Sequence, residues 1–90
     1  MARPSSLQFE FSNNMTGILD GDENAVNVTA PGVKYGDFGL VGASGPISDL
    51  LVTAECRTDE VRLHWANNTG STVDLGTTTW YILVLPRDSS

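Results

Sequence analysis

Three β-forming segments in close succession between Asp49 and Leu85 constrain this chain more than any other feature. In the first, Leu50, Val52, Ala54 and Cys56 share one face, with Leu51, Thr53 and Glu55 on the other. That period of two belongs to a strand with one buried side. Arg57-Thr58-Asp59-Glu60 then reads as a hairpin connection. The second segment puts Val61, Leu63 and Trp65 opposite Glu60, Arg62 and His64. Asn67 to Ser71 form a long turn, and Thr72 to Gly76 lead into the third segment, Thr77 to Leu85. There Thr78, Trp80, Ile82 and Val84 face one way and Thr79, Tyr81, Leu83 and Leu85 the other. A strand apolar on both faces is expected in the centre of its sheet or under a neighbouring subunit.

The upstream half repeats the pattern more weakly. Residues 1–6 read as a flexible arm punctuated by Pro4. Leu7-Gln8-Phe9-Glu10-Phe11 alternates, Met15 to Leu19 fits either a short strand or a bridging loop, and Ala25 to Ala30 alternates again up to Pro31-Gly32. Phe38 to Val41 forms a further strand, in which Gly36 and Gly39 predict a bulge or a close backbone approach. Gly42 to Pro46 reads as a loop. No helical pattern of useful length occurs. The chain is therefore expected to be all-β, with six to eight short strands in an antiparallel β-sandwich, jelly roll or small barrel. Residues 7–86 would form its single domain and residues 87–90 a tail.

Composition matters where it excludes roles. Five Lys and Arg against eleven Asp and Glu give a net charge of −6, and the basic residues are scattered. Nucleic-acid affinity rests on clustered cations, so that partner is not expected. No run of about 18 apolar residues predicts a membrane helix. The N-terminus lacks the apolar core of a secretory signal. Cys56 has no second cysteine to pair with, and a core this small without disulfide or zinc predicts association with other subunits.

Candidate chemistry is sparse. His64 is the only histidine, and no nucleophile is forced beside it, so catalysis is not expected. One histidine and one cysteine fall short of a zinc ligand set, and no cofactor is predicted. Asp20-Gly21-Asp22-Glu23-Asn24 begins like a calcium loop, but Ala25 stands at the position that needs glycine and Pro31 at the one that needs glutamate. Gly36, Gly39 and Gly42 have no following helix with which to cradle a pyrophosphate. Sequons at Asn14, Asn27 and Asn67 read as ordinary turn and strand residues, and Trp65, Trp80 and Tyr81 as core aromatics.

Two stretches together carry a resemblance. Ala30-Pro31-Gly32-Val33-Lys34-Tyr35-Gly36-Asp37-Phe38-Gly39-Leu40-Val41 is one. The other begins at Leu51-Val52-Thr53-Ala54, continues through Asp59-Glu60-Val61-Arg62-Leu63 and Ala66-Asn67-Asn68-Thr69-Gly70, and ends on Val73-Asp74-Leu75 and a hydrophobic strand. Over residues 26–85 this order resembles small tailed-phage head decoration (cement) proteins. The resemblance implies a β-sandwich or jelly-roll subunit, commonly a homotrimer. It would be made in the host cytoplasm and bound to the major capsid protein on the outside of the virion. Separately, the polar lead into an alternating strand makes residues 2–9, with Arg3, Leu7 and Phe9, the expected arm that adds to a neighbour or the shell. A carbohydrate- or receptor-binding module of a tail fibre or appendage is the rival expectation.

Overall fold

The computed structural model describes residues 4–87. They form six strands: β1 (Leu7–Asn14), β2 (Glu23–Thr29), β3 (Phe38–Ala43), β4 (Leu51–Arg57), β5 (Glu60–Ala66) and β6 (Thr77–Leu85). No helix occurs among these residues. The strands make two three-stranded sheets, sheet I in the order β1-β6-β3 and sheet II in the order β2-β5-β4. Every neighbouring pair is antiparallel. The strand with two apolar faces, β6, is central in sheet I, as its pattern predicts.

The pairing is nested. The first strand lies against the last and the second against the fifth, with Leu7 opposite Val84 and Val28 opposite Val61. The chain changes sheet at every connection except the β4–β5 hairpin. Inward residues of both sheets meet in one core: Val61, Leu63 and Trp65 from β5, Trp80, Ile82 and Val84 from β6, with Leu7, Phe9 and Phe11 of β1 packed against them. The sheets come closest where β3 passes β4. A Cβ on Gly39 would lie 3.1 Å from the Ala54 Cβ and 3.4 Å from the Cys56 sulfur, so of the two outcomes expected at Gly39, close approach is the one realised.

Met15 to Leu19 form a bridging loop. Ile18 pairs with Val73 alone, each amide donating to the other's carbonyl at 2.9 and 2.8 Å. Strand β3 runs two residues further than its sequence pattern suggests. Ala43 pairs with Trp80, and the Ser44 amide and hydroxyl bond the backbone of Thr79.

Two polar residues bracket β5. Asp59, with φ at +59° in the β4–β5 turn, accepts from the Gly32 amide at 2.9 Å through its carboxylate. Its backbone bonds Ala30 and Val33, each at 2.9 Å. At the other end Asn67 is fully buried. Its Nδ2 donates to the carbonyls of Ile18 at 2.8 Å and Ser71 at 2.9 Å, and its Oδ1 accepts from the Thr69 amide at 3.0 Å. A buried amide with both ends satisfied fixes the long turn against the bridging loop.

Candidate functional site

The groups that could perform chemistry are held apart by the pleat. His64 points outward from β5, where it faces Glu23 Oε1 at 3.5 Å, whereas Cys56 points into the core from β4. Alternation therefore places the one imidazole and the one thiol on opposite sides of sheet II. The acidic turn after the bridging loop uses its carboxylates on backbone: Asp22 accepts from the Leu19 amide at 3.0 Å and Asp20 from the Gly70 amide at 3.0 Å. Among the described residues no three His, Cys, Asp or Glu side chains converge in a way that could hold a metal ion. The sequon asparagine Asn67 is enclosed, and Asn14 and Asn27 are exposed.

What the fold does build is a contrast between two outer faces. Sheet II presents Asn27 with Arg62, which bond at 3.3 Å, and the ion pair Arg57–Glu55 at 3.0 Å. Sheet I presents apolar side chains on β3 and β6, beside the polar Gln8, Glu10, Ser12 and Asn14 of β1. Phe38 pairs with Leu85 and Leu40 with Leu83, while Tyr81 stands between Gly42 and Glu10. Phe38 is 59%, Leu40 56%, Tyr81 46% and Leu85 39% exposed. Tyr81 thus departs from the core placement expected of it. Trp65 and Trp80 are buried as expected, but Tyr81 lies on the other side of β6 from Trp80, and only one side of sheet I is covered. Between β1 and β6 this face sinks into a depression of about 490 Å³ lined by Gln8, Glu10, Tyr81 and Leu83.

Contiguous exposed apolar surface of this kind marks interaction sites in soluble domains. Sequence reasoning identified the β6 half of the face. Phe38 and Leu40 escaped it, because only the pairing of β3 with β6 places them beside Leu83 and Leu85.

Leu7 and Phe9, expected on a binding arm, begin β1 and pack against the core. Arg3 lies outside the described residues. The arm's neighbourhood nonetheless ends in an open edge: β1 is an outer strand of sheet I, and residues 4–6 leading into it are exposed.

A second depression, about 380 Å³, opens where β1 ends and β2 begins. Trp65 lies in it, with Asn14, Asp22, Glu23 and Asn24 around it. Asn24 is the direct cross-strand neighbour of Trp65, so its amide projects on the indole's side of sheet II.

Compared with protein families, curated proteins and solved structures, the chain matches none.

Proposed function

We propose that this chain is a structural protein of a tailed-phage virion, a head decoration protein that binds the major capsid protein across capsomer boundaries. The observation that carries the reading is the open edge of β1 and its exposed lead at residues 4–6. An edge strand offers a row of backbone donors and acceptors to another chain and needs no special side-chain chemistry. The nested strand order, 1-6-3 facing 2-5-4, supports a jelly-roll wrapping of a β-sandwich, in keeping with the resemblance over residues 26–85. Such a protein acts by mass action: a ligand that prefers the mature shell stabilises that state by its differential affinity. The protein would be made in the host cytoplasm and reside on the outside of the capsid.

The test is cosedimentation of the purified 90-residue chain with undecorated expanded shells, with and without residues 2–6. Binding that weakens on deletion supports the arm. Binding unchanged by deletion removes it from the contact, and failure of the whole chain to bind shells overturns the decoration reading.

The depression at Trp65 favours a second reading, a carbohydrate-binding module. Amides and carboxylates around the exposed edge of an indole that is itself 9% exposed suit sugar hydroxyls. Glycan binding lost in Asn24→Ala but kept in a distant surface variant supports it, and silence across a broad glycan set sinks it.

A further inference from the structure

We propose that the outer face of sheet I is a self-association surface, and that what covers it is the same face on another copy of this chain. The apolar residues are contiguous by register: the Phe38–Leu85 and Leu40–Leu83 pairs lie side by side, with Tyr81 next along β6.

Charge selects the partner. With a net charge of −6, most surfaces of this protein repel a second copy. Among the strand residues of sheet I, Glu10 is the only carboxylate. Glu23, Glu55 and Glu60 project from sheet II, and Asp20, Asp22, Asp49, Asp59 and Asp74 lie in connections. Asp37, just before Phe38, has its carboxylate on the Lys34 and Arg87 amides at 3.0 and 3.2 Å. Two copies can therefore stack these faces with a single carboxylate each, Glu10, at the contact.

Shape points the same way. Phe38 and Leu40 form a ridge on β3, on one flank of β6, whereas the depression lined by Gln8, Glu10, Tyr81 and Leu83 lies on the other flank. A two-fold axis parallel to β6 sets the ridge of each copy over the depression of the other, the self-complementarity that a closed interface requires.

Area suffices. Three strands about 4.8 Å apart and roughly 25 Å long give a footprint near 400 Å² and, with side-chain relief, on the order of 600 Å² of accessible surface per copy. The total of about 1,200 Å² reaches the lower bound of specific interfaces.

The inference stands apart from the capsid reading, because it concerns the isolated protein. The experiment is the solution mass of the full chain by sedimentation equilibrium, for the wild type, Leu40→Glu, Phe38→Ser and Leu51→Glu. Leu51 is as exposed as Leu40 but belongs to the outer face of sheet II. Wild type and Leu51→Glu are expected at twice the 9.6 kDa chain mass, and a trimer or larger assembly overturns the two-fold contact. Leu40→Glu and Phe38→Ser should raise the dissociation constant at least 100-fold while circular dichroism stays native. Should Leu40→Glu fail to fold, Phe38→Ser reads the same interface. A monomeric wild type at millimolar concentration overturns the inference, as does an assembly that Leu51→Glu weakens as much as Phe38→Ser. A monomer that still binds shells overturns this inference and leaves the decoration reading standing, and an oligomer that ignores shells does the reverse.

Discussion

Gly39 of β3 and Ala54 of β4 face each other across the two sheets so closely that a Cβ on the glycine would come within 3.1 Å of the alanine's. Both positions point inward, and Cys56 closes the site from the next inward position of β4. A branched side chain has no room there. Gly39→Val is expected to lower unfolding free energy by about 1–3 kcal/mol through overpacking. Gly45→Val, in the loop after β3 with no atom within 4 Å, should change it by less than about 0.5 kcal/mol. Urea titrations of the two variants check the contrast.

Asn67 should be among the least replaceable polar residues. Its side chain bonds three backbone groups from the bridging loop and the long turn while fully buried. Asn67→Ala leaves the Ile18 and Ser71 carbonyls without this donor, a loss of about 2–4 kcal/mol. Asn67→Asp keeps the shape but turns a carboxylate oxygen toward those carbonyls, and is expected to be at least as damaging. Denaturation midpoints, with hydrogen exchange at the Ile18 and Thr69 amides, measure both.

At the opposite end, backbone conformation and side-chain bonding can be separated at Asp59. Its positive φ is one that Asn adopts readily and Ala does not. Asp59→Asn retains an acceptor for the Gly32 amide and should lie within about 0.5 kcal/mol of the parent. Asp59→Ala loses the bond and adds left-handed strain, for a cost of roughly 2 kcal/mol. Asp59→Gly, which relieves only the strain, should fall between them in the same assay.

The two tryptophans report on the core. Trp80 is 1% exposed and its indole N–H donates to Asn13 Oδ1 at 2.9 Å, across the β1–β6 pair. Native fluorescence should be blue-shifted and poorly quenched by acrylamide. Trp80→Phe should cost about 1–3 kcal/mol, since it leaves a partly buried amide without its donor and a gap beside it.

The strands were legible because their alternation is a local property. Leu7 to Phe11, Val61 to Trp65 and Thr78 to Val84 each declare an inward face without reference to the rest of the chain. Which strand lies beside which is a non-local property, and so was the fate of the outer faces. Tyr81 and Trp80 carry similar local signals, yet one is enclosed and the other open because sheet II covers a single side of sheet I. Asn67 illustrates the same limit for polar residues. In sequence it is one of several turn asparagines, and only the approach of Ile18 and Ser71 makes it a buried tie. The candidate interaction face was half legible, through the two apolar faces of β6, and its other half depended on where β3 docked.

The pairing of first strand with last also sets an order of events. Sheet II needs only residues 23–66, and its β4–β5 hairpin can form locally. Sheet I has no two adjacent strands until β6 arrives, because both β1 and β3 pair with it and not with each other. During synthesis, β1 must wait through some sixty residues for its partner, with Leu7, Phe9 and Phe11 uncovered, and closing that span makes the step slow. Completion of this domain is therefore a late, all-at-once event governed by the final strand. A chain truncated before Thr77 would lose one entire layer and release a half-sandwich with its interior exposed.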